Sequence, residues 1–447
     1  MQNWVPSLDD ESGPKYAAIA DAIAAAIRTG ELRPGERLPP QRALADSLRV
    51  DLTTVTRAYG LARAAGLIEG AGKLGSFVRN DAMLPVVGET TSDANMNLPP
   101  QPGFALLPEA IRSGTAELLR AGRHSPILQY QPSAGNMLDR AAAAVALTEQ
   151  GIPTEPEQVV ITAGAQNALH ALLGTAFAEG DAICCGPFVY SGFKALAARL
   201  RLRLDAVASD EEGLVPDAVE QVLRQGSRAI YLTATNDNPT TATMGLARRE
   251  AIVAVARRHG AAIVEDDAYG LLPVRPVPPL ASLAPERTWY ITGTSKIISP
   301  VLRVAHLRLP EGTGLQPLAR DVHETSVMAP PLNAALVTLW LRNGWFDRLV
   351  AGVRAEAVAR QRIAAKAMTG LSYAAHPQGY HLWLEVPSGN TDGLVAAVRP
   401  LGLSAVAADA FAVSDADRSF VRLSMGGPID HVRLERALRH AARFCVL

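Results

Sequence analysis

Four short β-rich runs, QVVIT (158–162), AIYLT (229–233), AAIVED (261–266) and TWYIT (288–292), alternate with alanine-rich stretches of helical pattern. That alternation predicts a parallel α/β sheet, because parallel strands need a helical crossover between them. Each run also leads to a residue suited to chemistry: Gly164 follows the first, Asn238 the second, Asp266 ends the third, and Lys296 follows the fourth. Parallel strands point their carboxyl ends the same way. The four residues are therefore expected along one edge of the sheet, where such folds bind ligands.

Lys296 is one of only five lysines among 43 basic residues, and it sits in a largely apolar stretch with a few small hydroxyls. A lysine placed after an apolar strand can be desolvated, lose its proton and attack a carbonyl carbon. Around it in sequence stand Asn238 in NDNPTTATM, Asp266 and Tyr269 in AAIVEDDAYG, and Arg303, seven residues past the lysine. Together these resemble the pyridoxal phosphate site of fold-type I aminotransferases. The resemblance implies that Lys296 carries the cofactor as a Schiff base (aldimine), that Asp266 pairs with the pyridinium nitrogen, and that Asn238 and Tyr269 bind the ring hydroxyl. A carboxylate there keeps the ring protonated and electron-withdrawing. Arg303 would hold the phosphate by charge-assisted hydrogen bonds.

The segment ITAGAQNALHALL fits a phosphate cradle, with Gly164 allowing a close turn and the amides of Ala165 and Gln166 opening a helix toward the anion. By the same resemblance Tyr190 stacks on the ring, and Tyr130 reaches the phosphate of a neighbouring subunit. Arg422, inside the strand-like run SFVRLSM, wants an anionic partner if buried, and the resemblance assigns it the α-carboxylate of an amino acid or related ligand. Two positions depart from the family: Gly293 stands where many relatives carry a phosphate-binding serine, and Val301 replaces a common glycine. Thr294 and Ser295 are placed to compensate.

Residues 1–79 follow a different pattern. A first helix, framed by Pro14 and Gly30, carries Tyr16, Ile19, Ile23 and Ile27 on one face. A second covers about 41–48. Asp51 is placed to cap a third, LTTVTRAYGLARAAG, which would bury Val55, Tyr59 and Ala62 and expose Thr53, Thr54 and Arg57. GLIEGAGKLGSFV then reads as two short strands around a glycine-rich turn. Over residues 15–78 this resembles the winged helix-turn-helix of the GntR family. The resemblance implies that Arg42 and Arg57 contact DNA, that Thr53 and Thr54 face the major groove, and that Gly75 lets the wing approach the backbone. Net charge over residues 1–79 is only +1, and Leu52 and Leu74 occupy positions often held by arginine in GntR relatives.

A chain of 447 residues has room for two or three domains. Residues 80–100 are polar, proline-dotted and aperiodic, and read as a linker. The remainder, 101–447, divides into a large sheet subdomain to about 321 and a smaller α+β subdomain with strands near HLWLEV and SFVRLSM. Three cysteines cannot build a disulfide framework; Cys184 and Cys185, in an apolar run, are expected in the core, and the reading fits a reducing cytoplasm. No apolar run reaches spanning length, and no zinc spacing, P-loop or dinucleotide fingerprint is present.

Both modules in this order resemble a MocR-type regulator of the GntR family: an α-rich winged helix-turn-helix followed by an α/β aminotransferase-like domain. The resemblance implies a homodimeric transcriptional regulator that binds operator DNA and senses an amino acid, an amine or pyridoxal phosphate itself through Lys296. An active aminotransferase with an accessory DNA-binding head remains the alternative, and a fold kept only for dimerisation, without cofactor, is a third.

Overall fold

The computed structural model describes residues 4–6, 15–64, 66–70, 72, 75–79, 96–101, 106–120, 128–414 and 419–446. The chain forms two compact units, one of residues 1–92 with 102–112, the other of 93–101 with 113–447. Pro14, Leu74 and most of the expected linker, 80–95, lie outside the described residues.

The first unit is built on three helices, α1 (Lys15–Thr29), α2 (Gln41–Leu48) and α3 (Leu52–Ala64), and a hairpin of β1 (Ile68–Gly70) and β2 (Ser76–Val78). Apolar residues spaced three and four apart on α1 put Ile19, Ile23 and Ile27 into a core shared with Leu44, Val55, Tyr59 and Val78. Arg49 adopts a left-handed conformation at the end of α2 (φ 52°) and makes the turn into α3. Arg37 bridges to Phe77, adding a short third strand to the wing.

The second unit carries a seven-stranded sheet. In chain order its strands are β3 (Val159–Thr162), β4 (Ala182–Cys185), β5 (Arg203–Ala206), then, past a small hairpin of β6 (Ser209–Asp210) and β7 (Gly213–Leu214), β8 (Ala229–Leu232), β9 (Ala262–Asp266), β10 (Thr288–Gly293) and β11 (Ala305–Arg308). The spatial order is β3-β11-β10-β9-β8-β4-β5. Six strands run parallel, and β11 alone runs antiparallel to both its neighbours. The sheet is therefore mixed, and the four strands read from sequence are β3, β8, β9 and β10. A smaller antiparallel sheet takes the order β12 (Tyr373–Ala375), β13 (His381–Glu385), β15 (Phe420–Ser424) and β14 (Ser404–Ala407). Its core, including Leu382, Leu384, Val421 and Leu423, is closed by helical residues such as Leu394, Leu434 and Leu438. Cys184 and Cys185 are free and buried.

The end of β9 concentrates three buried acids, Glu265, Asp266 and Asp267. Strand alternation sends Glu265 and Asp267 to one face and Asp266 to the other. On the first face Asp267 accepts a 2.6 Å bond from the Tyr290 hydroxyl, and Glu265 accepts from the amides of Leu280 and Ala281 at a helix start. Arg249, 1 % exposed, lies 4.0 Å from Glu265 and donates to the carbonyls of Ala234, Met244, Val277 and Pro278 and to the Thr235 hydroxyl. One guanidinium thus fixes the loop after β8, which carries Asn238. Replacing it with an apolar side chain strands four carbonyls and a buried acid. Arg249→Met is expected to lower the unfolding free energy by about 3–5 kcal/mol, read from denaturant melts; a loss under about 1 kcal/mol would contradict this account of the loop.

Candidate functional site

Because β3, β4, β8, β9 and β10 share one direction, the loops that leave them gather the sequence-predicted residues at one sheet edge. Asp266 ends β9 and is 5 % exposed; its Oδ2 accepts a 3.0 Å bond from the Tyr231 hydroxyl, while Oδ1 is buried without a hydrogen-bond partner. Burial pushes this carboxyl up to about 6. Lys296 follows β10. Burial lowers its amine to about 8, with Arg422 adding to the fall and Asp266 opposing it, and Nζ donates to the main-chain oxygen of Asn97 at 2.7 Å.

Gly164 opens the helix Ala165–Ala176 at φ +90°, a conformation and a space that favour glycine: a Cβ there would stand 3.0 Å from the Arg303 guanidinium. Arg303 donates to the carbonyl of Ala163 at 2.9 Å, which brings its charge to the same helix start as the Ala165 and Gln166 amides. The Gln166 side chain donates to the Gly192 carbonyl, and its Oε1 is buried without a partner. Tyr190 precedes the helix Ser191–Arg199, and a Cβ on Gly192 would stand 2.5 Å from its ring. Ser295 is half-buried. Thr294, by contrast, gives its hydroxyl to the Val304 carbonyl at 3.1 Å and is buried.

Arg422 is 2 % exposed in β15 and donates to Asn238 Oδ1 at 3.0 Å; burial lowers it to about 10. This bond orients the Asn238 amide, leaving Nδ2 as donor on its other side. Tyr269 is 1 % exposed, and its hydroxyl accepts from Asn97 Nδ2 at 2.9 Å. Tyr130 is 84 % exposed.

Three participants were not found by sequence reasoning. Asn97, within the expected linker, is 2 % exposed and touches Lys296, Tyr269 and His381. His381, at the start of β13, is fully buried, and the Tyr380 hydroxyl donates to the Lys296 carbonyl at 2.8 Å. The sequence held only a weak signal for them, a polar residue opening an apolar strand.

The first unit presents a second candidate surface. Thr53 and Arg57 are exposed on α3, Thr54 is half-buried, and Arg42 is exposed on α2. The Arg57 guanidinium lies 3.9 Å over the Tyr16 ring. Between α2, α3 and the wing opens a cleft of about 680 Å³, lined by Arg37, Arg42, Arg63 and the glycines 70, 72 and 75, with no acid among the described residues of its lining. Glycine is what lets the arginines in: a Cβ at Gly75, where φ is +109°, would stand 3.0 Å from Arg37, and one at Gly70 3.2 Å from Arg63. Arg37 and Arg63 were not singled out from sequence, where Arg63 reads as one more solvated helix residue.

Residues 15–78 match the bacterial regulatory proteins of the gntR family, and residues 95–308 match aminotransferase class I and II. The HTH-type transcriptional regulator YdeF of Bacillus subtilis is 26% identical, with 98% of this chain and 95% of that protein covered. The vitamin B6 salvage pathway transcriptional repressor PtsJ of Salmonella typhimurium is 27% identical, covering 82% of this chain and 84% of its own. Among solved structures, the α-aminoadipate aminotransferase LysN of Thermus thermophilus, complexed with N-(5'-phosphopyridoxyl)-L-leucine, aligns with a TM-score of 0.69 at 28% identity over 78% of this chain and 91% of that one. Among the described residues no helix is long and apolar enough to cross a membrane, and no acid, histidine and cysteine cluster could hold a metal ion. A GntR-type winged helix-turn-helix followed in one chain by an aminotransferase class I and II domain places this protein among the MocR-type regulators of the GntR family.

Proposed function

We propose that this regulator holds pyridoxal phosphate on Lys296 and uses the loaded site to sense an amine, an amino acid or the cofactor itself, changing its grip on operator DNA in response. The observation that carries the reading is Asp266, a buried carboxylate with one oxygen unpartnered, at the same sheet edge as a desolvated lysine. A protonated ring nitrogen is the partner such an oxygen lacks. When bound, the cofactor supplies an electron-withdrawing ring and a carbon open to amine attack.

The chain's own residues divide the work. Lys296 is the attaching amine, Asp266 holds the proton at the ring nitrogen, and Asn238 and Tyr269 offer donors to the ring oxygen. Gly164, Ala165, Gln166, Ser295 and Arg303 make the phosphate cradle, Tyr190 covers the ring, and Tyr130 of each subunit would serve the other's cradle in a homodimer. Arg422 receives the carboxylate of an amino-acid effector. Because Arg422 already bonds Asn238, a carboxylate arriving there would be felt at the ring oxygen as well.

A second reading is favoured by the likeness to the Thermus aminotransferase: the residues that hold the cofactor are those transamination needs. Absorbance spectra separate the two. With one amino acid and no keto acid, a sensor's visible band shifts and stays, whereas an enzyme's converts to the pyridoxamine spectrum. In either case borohydride should fix the cofactor to the peptide bearing Lys296, and Lys296→Ala should remove the band; a band that survives in that variant would defeat the assignment. The depressed amine gives a pH test. Only the neutral amine attacks, so capture of pyridoxal phosphate by the unloaded protein should quicken with pH and level off above about 8. A rate still climbing past pH 10 would mean an ordinary solvated lysine.

The DNA side rests on the basic cleft, with Arg37 and Arg63 supplying charge that Leu52 and Leu74 do not. Phosphate contacts are counted by salt. Arg63→Ala is expected to weaken operator binding across sequences and to reduce the slope of log affinity against log salt by about one; an unchanged slope would remove Arg63 from the interface. Arg57→Ala should also weaken binding with folding intact.

A further inference from the structure

Asn97 is the residue on which the site's polar contacts meet, and it stands at the point where the chain arriving from residues 80–95 joins the second unit. Its main-chain oxygen accepts from Lys296 Nζ at 2.7 Å, and its Nδ2 lies 2.9 Å from the Tyr269 hydroxyl and 3.2 Å from His381 Nδ1. The amide orientation follows from chemistry. His381 Nε2 lies 3.0 Å from the carbonyl of Asp237, which can only accept, so Nε2 carries the hydrogen and Nδ1 the lone pair. Burial holds that ring neutral, pushed down to about 3. The group facing Nδ1 must then be the Asn97 NH₂, and its two hydrogens go to His381 and Tyr269. Tyr269 accepts from Asn97 and keeps its own proton to donate. Asn97 Oδ1 is buried without a hydrogen-bond partner.

The same segment is clamped from the other side by the loop that follows β15, the strand of Arg422. Gly427 donates to the Pro99 carbonyl at 3.1 Å, and Pro100 bridges to Gly427. Gly426 has no room for a side chain, since a Cβ would fall 1.7 Å from the Leu98 oxygen. Residues 97–100 therefore lie between the lysine and the loop after the effector arginine's strand, and the Lys296 amine is one of the contacts that hold them.

We propose that Asn97 is a positioning residue of the cofactor site and that its carbonyl bond to Lys296 passes the state of that lysine to the segment leading from the DNA-binding unit. A covalently engaged nitrogen keeps fewer hydrogens and is held by its new bond, so loading withdraws the donor from the Asn97 carbonyl and residues 96–101 lose an anchor. The inference rests on the cofactor reading above only for what engages the lysine. The anchor itself is a contact of the unloaded chain.

Hydrogen exchange followed by mass spectrometry on the full-length protein tests it. The amides of Met96, Asn97, Leu98 and Gln101 should exchange about tenfold faster after loading with pyridoxal phosphate and borohydride fixation, the change expected for one lost hydrogen bond. Lys296→Met, which cannot donate, should show the same loosening without cofactor. If no visible band forms but Lys296→Met still loosens the segment, the cofactor reading fails and the anchor stands; if the band forms and exchange is unchanged or slower in both samples, the proposal is overturned. Asn97→Ala supplies a readout that a merely structural residue would not move. It keeps the carbonyl but releases Tyr269, so the loaded visible band should titrate about one pH unit away from wild type, the worth of one hydrogen bond. An unmoved titration with full loading would also overturn the positioning role.

Discussion

The interior of the second unit is organised by the need to compensate three consecutive buried acids at the end of β9. A strand cannot turn neighbouring side chains the same way, so the run Glu265-Asp266-Asp267 divides between two faces. On the structural face Glu265 is answered by Arg249 and by amides at a helix start, while Asp267 takes the Tyr290 hydroxyl on one oxygen and keeps the other buried without a hydrogen-bond partner. Asp266, on the other face, is answered by half: Tyr231 takes one oxygen and the other waits. An uncompensated buried oxygen is costly, and costs of this kind persist where a ligand removes them. Of the two half-answered carboxylates, Asp266 is the one whose charge is felt by the Lys296 amine, because strand alternation turns it to the other face from Asp267.

A second dependence runs through Arg422. Burial lowers both the Arg422 guanidinium in β15 and the Lys296 amine, and the charge of Arg422 adds to the fall of the lysine. Anions relieve that repulsion. A phosphate at Arg303 and a carboxylate at Arg422 would each stabilise the charged forms, so cofactor and effector need not be independent of one another. The Arg422 bond to Asn238 gives this coupling a contact as well as a field.

What could be read from sequence follows the same physics. Gly164, Asp266 and Lys296 were legible because each lies within a few residues of a β-rich run, and strand direction alone carries them to a common edge. The antiparallel strand β11 was not, since only a single 3-10 turn, Pro300–Leu302, separates its run VAHLRL from the lysine loop, with no crossover helix to mark it. Asn97 and His381 were invisible for a different reason. They are 284 positions apart and meet only after both sheets have formed, and the segment holding Asn97 has the polar, proline-rich composition of a linker. In the first unit the helices and wing followed from apolar spacing and glycine. The basic cleft did not, because a local net charge of +1 conceals it. Only the hairpin register, setting Gly70 opposite Ser76, and the bridge from Arg37 to Phe77 bring those arginines against bare backbone.

A regulator asks less of such a site than an enzyme and, in one respect, more. Turnover requires that groups be complementary to a transition state. Regulation requires that a ligand distinguish two states of the chain by free energy, since equal affinity for both shifts nothing. A lysine that either anchors a main-chain carbonyl or is covalently engaged has two such states, and the carbonyl it releases belongs to the segment nearest in sequence to the DNA-binding unit. One hydrogen bond corresponds to about 1 kcal/mol, which is within the range of measured couplings between sites. A homodimer would carry the contact twice, and two such increments, where both reach the DNA-binding heads, correspond to a change of more than tenfold in operator affinity.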